Sequence, residues 1–426
     1  MPTDTQDNVI AFKQPSEFSA DPLTEVLQKG ARDLLAAAIE AEVADFLACY
    51  ADHKDEHGRQ RLVRHGHLPN RQITTGIGDV EVQLPRVRDR GAQSAKDKND
   101  EEKIRFYSKL VPPYMRKTKS LEELLPVLYL RGVSSGDFTD ALEALLGKGA
   151  KGLTHSTISR LKKGWEQDYK DWLKQRFDGK TYVYIWADGV YFTPRLDSDR
   201  QCVLVIIGAD EYGNKEILAI TDGFRENAES WKDLLKDLQS RGLKTPPKLA
   251  VGDGALGFWT ALRDVYPDTR EQRCWVHKTA NVLAALPKSK QAQAKSDLQN
   301  IWMAETKEEA SKAYDTFLTA YSLKYEKAAA KLAKDRDVML TFFDFPAEHW
   351  KHIRTTNPIE STFATLRNRT RKTKGCLSRI TGLAMVFKLI KDAQKRWKKL
   401  AGKNRLPEVI KGVAFKDGIQ HLQQVA

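Results

Sequence analysis

The hydrophobic positions of this chain alternate between a helical period and a strand period, and each switch predicts a new element. Residues 1–20 are polar and read as disordered. From Asp21 to Tyr50 the residues Leu27, Leu34, Leu35, Ile39, Val43, Phe46 and Leu47 recur at helical spacing, which predicts one or two amphipathic helices. Ile73 to Leu84 alternates with period two and turns near Gly76 to Asp79, as a hairpin does. A polar run from Asp89 to Glu102 reads as a linker. The helical period returns from Ser120 to Trp172. Within it, "VSSGDFTDALEALLGKGAKGLTHSTISRLKKGWEQ" joins one helix through a glycine-rich break to a second, led by Thr154 or Ser156. Such a pair is either an ordinary packing unit or a helix-turn-helix, which would bring Ser156, Thr157, Arg160 and Lys163 near DNA.

Strand periodicity then takes over. "KTYVYIWADGVYF", "QCVLVIIGADEYG" and "KEILAITDGF" are three runs of β-branched and aromatic residues, and a helix is predicted from Asn227 to Gln239. A fourth run, "PKLAVGDGA", ends at Asp253 and leads into a helix reaching Pro267, and "TREQRCWVH" is a candidate fifth strand. Three meandering strands, a helix and a buried strand describe an α/β layer with a mixed sheet. From Lys278 to Asp337 every segment is helical and rich in Ala and Lys, so this block reads as an insertion.

Composition narrows the class. At 426 residues, 41% hydrophobic and 30% charged, the chain is long enough for two or three domains with buried cores. Its longest apolar runs, such as Val203 to Ala209, fall far short of the roughly 18 residues of a membrane span, and no apolar leader opens it, so the expectation is a cytoplasmic protein without a membrane partner. Cys49, Cys202, Cys274 and Cys376 are too scattered for a disulfide framework. The formal charge of +13 is concentrated: residues 351–405 hold 16 Lys plus Arg against Glu360 and Asp392, a local +14 that leaves the remainder near −1. An excess this local favours a polyanion partner, most simply nucleic acid.

Inside that basic stretch, "TTNPIESTFATLRNRTRKTKG" carries a single carboxylate, Glu360, among five cations. Helix-start grammar alone accounts for it, with Asn357 as N-cap, Pro358 at the first helical position and Glu360 three residues after the cap. Asp188, after the apolar run Tyr182 to Trp186, and Asp253, between Gly252 and Gly254, are each explained alone as turn formers at strand ends. Together the three acids describe something sharper. Two strand-borne Asp and one helix-borne Glu are the oxygen ligand set that a pair of Mg²⁺ or Mn²⁺ ions needs for phosphoryl transfer. Arg367, Arg371 and Lys374 follow Glu360 on roughly the same helical face, suited to phosphate.

At these residues the chain resembles the DDE transposases of bacterial insertion sequences, in the Mutator superfamily. The matching words are "ADGVYF" at Asp188, "VGDGALGFWTAL" at Asp253, "QRCWVHKTANVL" at 272–283 and "RTTNPIESTFATLRNRTRKTKG" at Glu360, with "RLVRHGHLPNRQITTGIGDVEVQLPRVR" upstream. The resemblance runs from about Leu23 to Trp397 and shows no departure at the three acids. It implies a ribonuclease-H-like α/β core interrupted by an all-helical insertion, with mainly helical N-terminal DNA-binding domains. It implies the catalytic and metal-binding triad Asp188, Asp253 and Glu360 with two ions, Mg²⁺ or Mn²⁺. Its partners would be the terminal inverted repeats of the element and target DNA, bound by a homodimer in the synaptic complex, in the bacterial cytoplasm at the nucleoid. The division expected is 1–20 disordered, 21–110 helix and hairpin DNA-binding region, 111–178 helical domain, 179–277 first part of the core, 278–345 insertion, 346–400 second part of the core, and 401–426 tail. DNA contacts are expected from Arg64, Arg71, Ser156, Thr157, Arg160, Lys163, Arg354, Arg367, Arg369, Arg371, Lys372 and Lys374.

Two further features belong to the resemblance. Cys274 and His277 form a lone Cys-x2-His, expected to be structural or DNA-adjacent, since zinc wants four ligands and His349 with His352 would have to be folded in to supply them. Trp302, in the insertion, is either a core residue of an amphipathic helix or the counterpart of a Trp that some DDE transposases stack on a flipped base. Two rivals stand beside this reading, a non-catalytic sequence-specific DNA-binding protein and a carboxylate-pair hydrolase; neither calls for a +14 segment around the third acid.

Overall fold

The computed structural model describes residues 21–54, 57–91, 104–130, 133, 137–146, 155–192, 201–223, 227–254, 256–360, 363–364, 367 and 378–421. The chain divides into two compact units, Met1–Tyr129 with Val133–Thr157, and Leu130–Gly132 with Ile158–Ala426. No helix among the described residues is long and apolar enough to cross a membrane.

The first unit opens with one helix, α1 (Pro22–Cys49), where one or two were expected. Asp21 caps it by accepting from Thr24 N–H at 3.1 Å, and Pro22 occupies the first turn, where it forfeits no hydrogen bond. Antiparallel pairs β1 (Leu62–His67) with β4 (Pro85–Asp89), and β2 (Arg71–Thr75) with β3 (Gly78–Val82), follow. The inward residues Ile73, Val80, Val82 and Leu84 meet Ile39 of α1 and Val111 in one core. Asp89 departs from its reading as the start of a linker. It ends β4, buried, and accepts Arg61 Nε at 2.8 Å and Nη2 at 3.0 Å, with Gly91 and Ile104 N–H besides. Residues 92–102 of the expected linker lie outside the described residues. Two helices, α2 (Lys119–Leu130) and α3 (Asp137–Leu146), complete this stretch, and α4 (His155–Trp172) passes into the second unit at Ile158.

The second unit is built on a five-stranded mixed sheet. Its strands are β5 (Tyr182–Phe192), β6 (Gln201–Asp210), β7 (Lys215–Gly223), β8 (Leu249–Gly252) and β9 (Arg270–Arg273), in the order β7-β6-β5-β8-β9. The first three form an antiparallel meander and β5, β8 and β9 run parallel. Helices α5 (Ala228–Ser240) and α6 (Leu256–Val265) cover one face. There Ile185, Ala187, Leu204, Ile206 and Ala250 bury against Trp231, Leu235, Leu238, Phe258, Trp259 and Leu262. Burying a side chain of this size stabilises the fold by roughly 1.5–3 kcal/mol. Asn227 caps α5 by accepting from Ser230 N–H at 2.8 Å.

After β9 come α7 (Trp275–Leu283), α8 (Lys288–Trp302), α9 (Lys307–Ser322), α10 (Glu326–Ala333) and α11 (Arg336–Met339). These cover the stretch that reads as inserted. The chain then returns along the second face of the sheet through α12 (Trp350–Ile353). On that face Tyr184 O–H bonds His349 Nδ1 at 2.7 Å, and Trp186 Nε1–H donates to the His352 carbonyl at 2.9 Å. A helical turn at residues 357–360, α13, follows, then α14 (Arg379–Gln394) along β7 and the short α15 (Leu406–Ile410).

Candidate active site

Register makes Asp188 and Asp253 neighbours. On the parallel strands β5 and β8, Ala187 stands opposite Gly252, so each Asp is the next residue beyond that pair, on strands about 4.8 Å apart. β9 extends the row: Gly252 faces Arg273, and Cys274 N–H donates to Gly252 O at 2.7 Å, so Cys274 holds the same position on the third strand. Asp188 is not at the end of its own strand, as the apolar run had suggested, because β5 continues to Phe192 while β8 stops at Gly252. The end that matters belongs to β8.

Side-chain alternation sets the face. Ile185, Ala187 and Ala250 point into the α5–α6 core, and a Cβ on Gly252 would stand 3.0 Å from the Trp259 ring, which is why glycine precedes Asp253. Trp186 and Gln272 point the other way, to the segment that returns toward Glu360. Asp188 shares the face of Trp186, and Cys274, two residues after Gln272, reaches Glu360 on that side, while Asp253 is the first residue past the end of β8. Asp188 is 6% exposed, and its Oδ1 accepts from Gly189 N–H at 2.9 Å. The Asp253 carbonyl is anchored from below by Trp259 Nε1 at 2.8 Å and Arg273 Nη1 at 3.0 Å, with the Arg273 guanidinium 4.8 Å over the Trp259 ring. Burial pulls the Arg273 pKa below its ordinary value.

Glu360 approaches over the end of the third strand. Its helix starts one residue earlier than the sequence grammar indicates: Ile359 and Glu360 N–H donate to Thr356 O at 2.9 and 3.1 Å, so Thr356 is the N-cap and Asn357 the first helical residue. Glu360 therefore lies beyond capping-box range of its own helix start. Its Oε1 accepts the Thr356 hydroxyl at 2.9 Å and lies 3.6 Å from His277 Nδ1 and 3.9 Å from Cys274 Sγ. The thiol is buried, which pushes its pKa up, and it also accepts Thr356 N–H at 3.3 Å.

Among the described residues, Cys274, His277 and Glu360 form the one group of three candidate ligands whose atoms all lie within 4.8 Å of one another; the three carboxylates do not close to that distance. The Cys-x2-His pair thus touches the third acid, which its isolation in the sequence did not indicate. His349 and His352 do not join it. His349 is held between Tyr184 and Gly402 O, and His352 Nε2 accepts Ala401 N–H at 3.1 Å, which requires the neutral ring; burial holds the His352 pKa down at about 4.

Arg160 and Lys163 are exposed on α4, and Arg367 is exposed beyond Glu360. Arg64 pairs with Glu40 at 2.6 Å, Arg71 Nη2 donates to Met115 O at 2.6 Å, and Arg354 Nη1 donates to Trp302 O at 2.9 Å. The side chains of Ser156 and Thr157, and residues Arg369, Arg371, Lys372 and Lys374, lie outside the described residues. Trp302 ends α8 half-buried, its ring 5.1 Å from that of Trp275. Through Arg354, whose carbonyl receives Trp275 N–H at 3.0 Å, it is tied to the stretch just before Thr356.

Comparison with known proteins gives a consistent result. Residues 3–400 match the family described as "Transposase, Mutator family". The chain is 51% identical over 298 residues, 70% of its length and 92% of the relative's, to the transposase for insertion sequence element IS6120 of Mycolicibacterium smegmatis. It is 50% identical over 280 residues, 66% of its length and 95% of the relative's, to the transposase for insertion sequence element IST2 of Acidithiobacillus ferrooxidans. A more distant relative, the transposase for ISRM5 of Rhizobium meliloti, is 28% identical over 374 residues, 86% of this chain and 87% of its own.

Proposed function

This chain belongs to the Mutator family of transposases, and from that premise we propose that it binds the terminal inverted repeats of an insertion sequence and cleaves and joins DNA strands with divalent metal at Asp188, Asp253 and Glu360. The observation that carries the reading is the shared register of Asp188 on β5 and Asp253 directly past the end of the adjacent parallel strand β8, with Glu360 over the end of the next strand. In this reading the five-stranded sheet is a ribonuclease-H-like core, and helices α8 to α11 are its insertion.

The donor chemistry fits two hard cations. Carboxylate oxygens suit Mg²⁺ or Mn²⁺, whereas the buried, protonated thiol of Cys274 is a poor ligand for either. When bound, such ions polarise the scissile phosphate and make water or a 3′-hydroxyl a competent nucleophile. The chain's own part is positional. Gly189 N–H orients the Asp188 carboxylate, Trp259 and Arg273 fix the backbone that carries Asp253, and Thr356 holds one oxygen of Glu360. Exposed Arg160, Lys163 and Arg367, with the basic residues 369–374, serve phosphate. Arg64, Arg71 and Arg354 would have to give up existing bonds to do so. A homodimer is proposed because two transposon ends must be brought together.

Cleavage of an end-labelled duplex carrying the terminal repeat tests the reading. The purified protein should cut at the repeat boundary with Mg²⁺ or Mn²⁺ and stop in EDTA, and Glu360→Gln should bind the duplex but not cut it. A Glu360→Gln protein that cuts normally removes the Glu from the triad. Tight, sequence-specific binding with no cutting under any metal favours the non-catalytic DNA-binding protein instead.

A further inference from the structure

Resting on the reading of Glu360 as a metal-holding carboxylate, we propose that Thr356 is its positioning residue, a buried hydroxyl that clamps one carboxylate oxygen and leaves the other for the cation. Thr356 is fully buried and makes four close approaches. Its hydroxyl donates to Glu360 Oε1 at 2.9 Å, its Oγ1 lies 3.3 Å from Cys274 Sγ and 3.5 Å from His277 Nδ1, and its backbone N–H donates to Cys274 Sγ at 3.3 Å. A hydroxyl has one proton, and the carboxylate is the strongest acceptor within its reach. Its lone pairs then face the thiol and the imidazole.

Position reinforces the bond. Thr356 and Glu360 are separated by four residues across the helix start, so they stack on one face. Cys274 belongs to the row that contains Asp188 and Asp253. The clamp therefore ties the helix carrying the third acid to the sheet carrying the other two. Glu360 Oε2 has no such tie among the described residues.

Cys274, His277 and Glu360 are thus gathered around one hydroxyl, their nearest atoms 2.9 to 3.5 Å from its oxygen.

The test measures Mn²⁺ binding by electron paramagnetic resonance in the full-length protein bound to a terminal-repeat duplex, alongside thermal melting without metal. Thr356→Val keeps the side-chain shape and removes the donor. It should bind the duplex as the parent does and melt cooperatively, with Mn²⁺ affinity lowered about tenfold, the scale of a lost bond to a charged acceptor. Thr356→Ser should restore the affinity, which a purely structural role would not require, and Thr356→Ala should behave like Val. Parental Mn²⁺ affinity in Thr356→Val or Thr356→Ala overturns the proposal, as does failure of both to melt cooperatively. Glu360→Gln separates the layers: if it loses Mn²⁺ while Thr356→Val does not, only the clamp is wrong, and if it too keeps parental affinity, the reading of Glu360 falls first.

Discussion

Asp253→Asn, and equally Asp188→Asn, should leave a folded protein that binds terminal-repeat DNA but cleaves it slower by about three powers of ten or more, roughly 4 kcal/mol of lost barrier reduction. Asn keeps the shape and one oxygen of each side chain while removing the charge that would hold a divalent ion. The supports beneath Asp253 survive the change, because Trp259 and Arg273 bond its backbone carbonyl and not its carboxylate. Gly189 N–H likewise finds an amide oxygen in Asp188→Asn. Stability should therefore change little while turnover collapses. Single-turnover cleavage in Mg²⁺, with binding measured separately, checks this, and loss within threefold for either variant would mean that its carboxylate has no part in holding metal.

The second large effect concerns the fold. Gln272→Leu should destabilise the second unit by about 2–4 kcal/mol, although Leu is apolar and the site is fully buried. The amide of Gln272 is spent on backbone: its Nε2 donates to Arg273 O at 2.8 Å and Met339 O at 3.1 Å, and its Oε1 accepts Phe342 N–H at 2.8 Å. Met339 O keeps a second donor in Trp275 Nε1, so the Phe342 N–H and the Arg273 carbonyl bear most of the loss. Urea unfolding of the variant against the parent would measure it. A midpoint within error of the parent's would mean that water or rearranged backbone replaces the amide.

Those two residues mark how far the chain could be read before it was folded. The strands leading to Asp188 and Asp253 were legible because β-branched runs announced them, and a carboxylate after such a run stands out as costly to bury without a partner. What spacing along the chain lacked was register: the pairing of Ala187 with Gly252 is a tertiary fact, and it also moved Asp188 from a strand end to a strand interior. Gln272, in "TREQRCWVH", carries no periodic signal, since its polar amide serves a backbone segment some seventy residues downstream. Thr356 was hidden for a related reason. Local grammar favoured Asn357 as the cap, and only contact with Cys274 reveals why the chain starts the helix at Thr356. The Cys-x2-His pair was visible, but its partner was not, because a hydroxyl between a thiol, an imidazole and a carboxylate is assembled from two segments some eighty residues apart.

The claim that Asp188, Asp253 and Glu360 share a divalent-metal site is tested most directly by crystals of the protein bound to terminal-repeat DNA, grown with Mn²⁺ and measured for its anomalous signal. The account predicts anomalous peaks at ligand distance from the carboxylates of Asp188, Asp253 and Glu360, with the Thr356 hydroxyl still on Glu360 Oε1. Peaks absent from that face of the sheet, or a single peak held by Cys274 and His277 with both Asp left empty, would contradict it.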